Sequence, residues 1–178
     1  MIGNKAAGGY TCQLESTLSD QDAATLGDIL VRLVADGHSL GFNHPLSPTT
    51  ATAFFKEAIA NKHIRLLVAR DQQNDTIVGT VQLDLAAQEN AQHRAEVKKL
   101  LVNPDHHRKG IATLLLGAAD ELARKEGRLL LVLDTWSHGT ACALYRKCGW
   151  IEIGDIPNFA RNHDGKLCAT KLFYKQFV

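Results

Sequence analysis

Val97-Lys-Lys-Leu-Leu-Val-Asn-Pro-Asp-His-His-Arg-Lys-Gly-Ile-Ala112 is the stretch that decides how the remainder of the chain is read. Val97, Leu100, Leu101 and Val102 suit a buried strand, Asn103-Pro104-Asp105 a turn, and the basic segment closing on Gly110 a loop. A helix follows at once, with Ile111, Leu114, Leu115, Ala118, Ala119 and Leu122 on one face of a 3.6-residue period. A strand that feeds a glycine-containing loop into a helix start offers unpaired backbone N–H groups and a positive dipole end, a combination that binds phosphate. Arg108 and Lys109 add full charges at the same place. Strand, loop and helix with one glycine are common in α/β proteins, so shape alone does not select the ligand. A P-loop needs Gly-x-x-x-x-Gly-Lys-Ser/Thr and a dinucleotide loop Gly-x-Gly-x-x-Gly; neither is present.

Composition narrows the classes further. A chain of 178 residues with 45% hydrophobic and 22% charged residues matches one soluble globular domain with a substantial core. The net charge of +1 argues against a nucleic-acid partner. No apolar run approaches membrane-spanning length, so no membrane partner is expected. Residues 1–9 are polar and rich in Gly and Ala, without the apolar core of a signal peptide, and read as a flexible tail before a single domain at 10–178. Cys12, Cys142, Cys148 and Cys168 form no Cys-x-x-Cys pair and read as reduced thiols of a cytoplasmic protein. His106 and His107 are adjacent and no two histidines stand four apart on a helix, so the histidines read as solvated loop residues and no metal is expected.

Taken in order, Tyr10 to Glu15 reads as a first strand, and Ser19 caps a helix whose face is Leu26, Ile29, Leu30, Leu33 and Val34, ended by Gly37. A loop with Gly41, Phe42 and Pro45 leads to a second amphipathic helix from about Pro48 to Asn61, with Phe54, Phe55, Ala58 and Ile59 inward. These are core positions, but two helices ahead of the main sheet also suit the roof of a substrate cleft, with Gly41-Phe42 at its mouth. Ile64 to Arg70 and Thr76 to Leu85 form a hairpin across the polar turn Asp71 to Asp75. Leu129 to Leu133 is an almost continuous aliphatic run, which suggests a strand covered on both faces and parallel to its neighbour. With the organising strand and helix it makes a right-handed βαβ unit. A short helix precedes two closing strands, about Ile151 to Gly154 and Leu167 to Phe177, around a loop with Pro157, Asn158, Arg161, Asp164 and Gly165.

His107-Arg108-Lys109-Gly110-Ile111-Ala112 resembles the Gln/Arg-x-x-Gly-x-Gly/Ala pyrophosphate loop of the GNAT acetyltransferase superfamily, with His107 where that family usually has Gln or Arg. Downstream, His138, Ala141, Leu144, Tyr145, Gly149 and Trp150 keep the register of its Asn-x-x-Ala-x-x-Leu-Tyr-x-x-x-Gly-Phe segment, with His for Asn and Trp for Phe. Arg94 to Leu100, Leu131 to Thr135, Asp164 to Leu167 and Phe173 to Lys175 are similar to the tabtoxin-resistance branch of the family, over roughly residues 90–178. The resemblance implies acetyl-coenzyme A as co-substrate, held by His107, Arg108, Lys109, Gly110, Ile111, Ala112 and Thr113 around the pyrophosphate. It further implies Leu100, Leu101 and Val102 along the pantetheine, and His138 at the position of the Asn that often touches the coenzyme. Its tabtoxin-resistance branch implies a small, amino-acid-like amine as acceptor.

Acetyl transfer to an amine makes three demands. The amine arrives as ammonium, with a reference pKa of about 10.4, and must lose a proton. The carbonyl oxygen gains charge and needs an N–H donor. The thiolate leaving group benefits from an acid. Glu96, inside the apolar strand, is the candidate base, where partial burial would raise its pKa; the alternative is a strand charge paired with Lys98 or Arg94. Asp134, at the ligand-binding end of the parallel strand, either orients the ammonium or shares the base role, or else caps the next helix. Tyr145 is the candidate acid, or else a core aromatic. Cys142 has no evident partner, which favours direct transfer over a covalent intermediate.

The expected fold is α/β: a mixed, mostly antiparallel sheet of about seven strands, with a splayed parallel pair at its centre and helices on both faces. The expected function is N-acetyl transfer from acetyl-coenzyme A to a primary amine of a small molecule. The alternatives are a protein N-terminal or lysine acetyltransferase and a non-catalytic acyl-coenzyme A sensor. A homodimer is compatible with each.

Overall fold

A computed structural model describes residues 5–177 of the protein. Eight strands form one sheet in the order β1-β2-β3-β4-β5-β6-β8-β7. They are β1 (Lys5–Ala7), β2 (Tyr10–Glu15), β3 (Ile64–Asp71), β4 (Ile77–Leu85), β5 (Arg94–Val102), β6 (Leu130–Trp136), β7 (Ile151–Arg161) and β8 (Leu167–Gln176). All neighbours are antiparallel except β5 and β6. The helices are α1 (Asp20–Ala35), α2 (Pro48–Ala60), α3 (Ile111–Lys125) and α4 (Ala141–Lys147).

Alternation along the strands builds two cores. Leu67, Ala69, Val81, Leu83, Ala95, Val97, Leu131, Leu133 and Phe173 point to the face covered by α3 and α4. Leu66, Val68, Ile77 and Leu101 point to the opposite face, under Leu26, Leu30, Leu33 and Phe55 of α1 and α2. A period-two strand can serve two helical layers only when both faces are covered, and this holds for the β3–β5 half of the sheet. Over β6, β8 and β7 the α1/α2 face has no helix, and Trp136, Ile151, Ile153 and Ile156 stand exposed there.

The helix starts follow the expected chemistry. Ser19 Oγ accepts the Asp22 N–H at 3.0 Å, and Ser47 Oγ accepts that of Thr50 at 3.1 Å. Gly37 ends α1 with φ +87°, a conformation that glycine adopts without a Cβ penalty.

Three boundaries and one expected burial differ from the sequence reading. The sheet has eight strands rather than seven, because Lys5–Ala7 pairs with Tyr10–Cys12 where a tail was expected; the rest of that tail, residues 1–4, lies outside the described residues, as does residue 178. Pro157, Asn158 and Arg161 belong to β7, which irregular pairing with β8 carries past the expected loop. Proline and polar residues are tolerated there because β7 is an edge strand. Leu129 lies before β6 and is exposed, and β6 is covered on one face only.

Arg70 ties β3 to the first helix layer: its guanidinium donates to Glu15 at 3.0 Å and to Asp22 at 3.1 Å. That hydrogen bond holds the Asp22 carboxyl below the usual carboxylate range. A lowered folded-state pKa contributes stability above the unfolded value of about 4, and the contribution is lost as pH falls through the folded value. Arg70→Met is expected to cost about 1–3 kcal/mol in thermal or urea unfolding at neutral pH. Asp22→Asn should show a shallower loss of stability below pH ~4 than the parent protein.

Candidate active site

The parallel pair is short. Arg94, Ala95 and Glu96 pair with Leu130, Leu131 and Val132, and beyond Glu96 no residue of β5 pairs with β6. β6 stays on β8 as far as Trp136, while β5 follows β4 to Gly79↔Val102. The parting coincides with a bulge. The β4–β5 register shifts between Thr80 and Gln82, and Lys99 has φ +53°, an uncommon value for a residue other than glycine. A bulge bends its strand and increases its twist, which carries the end of β5 away from β6.

At the end of β5 the chain turns through a 3₁₀ turn, Pro104–His106, into the loop before α3. α1 anchors this turn: Arg32 donates to both carboxylate oxygens of Asp105 (3.0 and 3.1 Å) and to Asn103 Oδ1 (3.1 Å). His106 Nδ1 lies 3.2 Å from the Tyr10 hydroxyl, and His107 Nε2 lies 2.9 Å from the Val102 carbonyl. Arg108 and Gly110 take φ of +63° and +83°, and α3 begins at Ile111 without a side-chain cap. From Arg108 through Thr113 no backbone N–H has a backbone acceptor among the described residues. Nothing lies within 4 Å of where a Gly110 Cβ would stand. A row of unpaired N–H groups, a helix start and open space meet the needs of a pyrophosphate.

On the other side of the parting strands, Glu96, Val132, Leu133, Asp134, Ile153, Leu172 and Phe173 line a cavity of about 250 Å³. The two carboxylates are thus brought to one site from different strands. Glu96 is exposed and has no ion-pair or hydrogen-bond partner among the described residues. This corrects the expectation of partial burial: the parting of the strands opens the Glu96 side of β5 to solvent, and Lys98 pairs with Asp84 instead. Asp134 does not cap a helix. It lies within β6 and Oδ2 accepts the hydroxyl of buried Thr170 at 2.7 Å, which fixes its orientation. A larger depression of about 400 Å³, on the outer side of α2 between Pro48 and Lys56, contains no carboxylate or thiol.

Tyr145 is buried in α4, tilted on Phe173 with ring centroids 5.7 Å apart and edge-on to Trp150 at 6.1 Å. Burial pushes its phenol far above the ordinary tyrosine value, and the charge of Asp134 adds to the shift. The group stays protonated throughout the neutral range. Burial also raises the Cys142 thiol, which keeps it from being a thiolate. His138 is exposed and packs edge-to-face on Trp136, centroids 6.4 Å apart. Thr113 faces the Cys148 thiol. Among the described residues no group of three or more His, Cys, Asp or Glu is placed to hold a metal.

Thr170, bonded to Asp134, and Lys99 and Gln82, at the β4–β5 bulge, were not singled out from the sequence. The available signal was Lys98-Lys99 inside an apolar strand, a pair that breaks strict alternation and marks the bulge.

Residues 29–150 match the family model described as the acetyltransferase (GNAT) family. The chain belongs to that family. Solved structures share its fold. A GNAT phosphinothricin acetyltransferase from Sinorhizobium meliloti in complex with AcCoA is 18% identical with a TM-score of 0.79, over 95% of this chain and 89% of that one. The protein yncA from Salmonella typhimurium, solved with its cofactor acetyl-CoA, is 18% identical with a TM-score of 0.75, over 94% of each chain. A ribosomal-protein-alanine N-acetyltransferase from Brucella melitensis is 18% identical with a TM-score of 0.76, over 93% of this chain and 99% of that one. The protein is therefore an acetyl-CoA-dependent acetyltransferase, and the unpaired loop N–H groups and the parted strands fit the co-substrate. No helix among the described residues is long and apolar enough to cross a membrane.

Acetyl-CoA is expected to raise the melting temperature, since a ligand at 100 times its Kd stabilises the native state by about 2.7 kcal/mol. Gly110→Asp should abolish the shift while leaving the fold intact, because it sets a carboxylate where a phosphate must approach and requires φ near +83° of a residue with a Cβ. An undiminished shift in the folded variant would show that the loop does not hold the coenzyme.

Proposed function

We propose that the protein is an N-acetyltransferase that moves the acetyl group of acetyl-CoA directly to a primary amine of a small, amino-acid-like molecule. The observation that carries this reading is the pair Glu96 and Asp134, drawn from two parting strands to one cavity of about 250 Å³. That volume lies below the range of about 300–1,000 Å³ typical of pockets for drug-sized ligands, so it suits a small acceptor. The phosphinothricin acetyltransferase among the structural neighbours supports the same class of acceptor.

The roles follow from position. The backbone N–H groups around Arg108, Lys109, Gly110, Ile111, Ala112 and Thr113 receive the pyrophosphate, with His107 holding the loop to the end of β5. Leu100, Leu101 and Val102, unpaired on the β6 side, offer main-chain groups to the pantetheine and an N–H to the carbonyl oxygen. Glu96 takes the ammonium proton. Asp134, oriented by Thr170, holds the ammonium and shares that role. The amine nitrogen then bonds to the carbonyl carbon as the carbon–sulfur bond breaks, and nitrogen sheds its second proton to the departing thiolate as the amide forms, leaving coenzyme A as its thiol. Tyr145 donates a hydrogen bond to the departing sulfur; with its phenol pKa raised, it stabilises the thiolate rather than protonating it outright. Cys142, buried and protonated, takes no part. His138, in the turn after β6 and packed on Trp136, stands at the coenzyme position implied by its sequence register.

A screen of primary amines that includes phosphinothricin, read by release of coenzyme A thiol, tests the reading. With an accepted amine, Glu96→Gln should lower kcat/KM by about 10²–10⁴-fold with acetyl-CoA affinity unchanged. Tyr145→Phe should lower kcat with little change in KM. Near-normal turnover in Glu96→Gln would remove Glu96 from the mechanism. Turnover of peptide N-termini but of no small amine would make the acceptor a protein, and coenzyme binding without any turnover would make the chain a sensor.

A further inference from the structure

The bulge puts Lys99 on the same side of the sheet as Glu96, toward the first helix layer. Its ammonium lies 5.7 Å from the ring centres of both Phe42, in the loop before α2, and Phe54, in α2. Gly41 closes the same spot: a Cβ there would come within 3.4 Å of Lys99 Nζ, and its φ of +79° suits glycine. Lys99 therefore sits where the helix layer meets the parted strands, at the mouth of the cleft.

Its surroundings lack a counter-ion. No carboxylate among the described residues is within ion-pair distance of Lys99, and neighbouring Asp84 is taken by Lys98. The charges of Asp134 and Glu96 reach it only from a distance, and they oppose the downward pull on its pKa from burial and from Lys98. The phenylalanine faces attract a cation weakly, by about 0.5–2 kcal/mol, which does not replace a carboxylate. A second donor stands on the neighbouring strand, opposite Lys98. Gln82, buried at 1% exposure, pairs in register with Lys98 on the same face, and among the described residues its Nε2 has no hydrogen-bond acceptor. Two carboxylates at the strand parting and a desolvated cation with a free amide donor under the helices form a site of split charge. The complement of that site is a zwitterion.

We propose that Lys99, with Gln82 beside it, receives the carboxylate of the acceptor, so that the substrate is an amino acid whose amine lies at Glu96 and Asp134 and whose carboxylate lies under Gly41, Phe42 and Phe54. The assignment rests on the reading of this cleft as the acceptor site and adds the charge of the acceptor to it. Lys99 is a specificity residue here, remote from the transferred acetyl group.

The test uses matched acceptors: L-lysine, L-lysinamide and cadaverine; L-methionine, L-methioninamide and 3-(methylthio)propylamine; and phosphinothricin. Wild type should favour the carboxylate member of a series by at least about tenfold in kcat/KM, mostly through KM, because its absence leaves a buried donor unpaired. Lys99→Gln should remove that preference while keeping turnover of the carboxylate-free members and the thermal shift with acetyl-CoA. Lys99→Arg should retain it. Lys99→Asn, a residue that accepts positive φ readily, is the second neutral variant if Lys99→Gln does not fold. Equal loss on amino acids and carboxylate-free amines in a folded variant would overturn the assignment, as would a wild type that acetylates carboxylate-free amines as well as amino acids; either result leaves the small-amine reading standing. Acetylation of peptides alone would overturn both.

Discussion

Three paired residues on each strand hold β5 to β6, and the rest of the molecule depends on that pairing ending at Glu96 and Val132. Continued pairing would have consumed the main-chain groups of Leu100, Leu101 and Val102 and closed the space between Glu96 and Asp134. The bulge at Lys99 ends it by spending backbone conformation. A non-glycine residue at positive φ costs about 1–3 kcal/mol and persists only when its surroundings impose it. Here β4 holds one edge of β5, and Leu101 beyond the bulge is buried beneath the first helix layer. The strain lies at the point where the strand changes from a structural element into the wall of a binding slot.

The two sides of the slot are held by different parts of the fold. On the coenzyme side, α1 reaches across the sheet through Arg32 to Asp105 and Asn103, so the turn before α3 is set by a helix remote from it in sequence. On the side of the carboxylate cavity, Thr170 of β8 fixes Asp134, and α2 with its preceding loop covers Lys99. The first two helices thus contact both the turn before α3 and Lys99 beside the parted strands. This explains why the uncovered face of β6, β8 and β7 begins where the cleft does: extending the helix layer over β6 would bury the carboxylates.

The architecture was legible in the sequence where local chemistry specifies it. Ser19 and Ser47 announced two helix starts, the 3.6-residue period of Ile111 to Leu122 announced a third, and Gly110 marked the loop. What escaped were features set by partners distant in sequence. β1 exists because Tyr10–Cys12 offers it an edge, and β7 runs past Pro157 because β8 pairs with it there. The aliphatic run before Asp134 looked buried on both faces, yet Val132 lines the cleft, since apolar composition does not distinguish a helix-covered face from a ligand-facing one. Glu96 and Asp134 were recognised as carboxylates in unusual places, but their environments were not. Burial of Glu96 was expected from its apolar neighbours and is absent because the adjacent strand departs. Lys99 was passed over since a lysine beside a lysine in a strand looks like a solvated face.

Amide hydrogen exchange with and without acetyl-CoA shows whether the coenzyme occupies the parting of β5 from β6. Exchange is expected to slow on binding at Leu100 to Val102 and at Arg108 to Thr113, with Arg94 to Glu96, already paired, unchanged. Protection elsewhere with no change in these two segments, under conditions of saturating coenzyme, would contradict that placement.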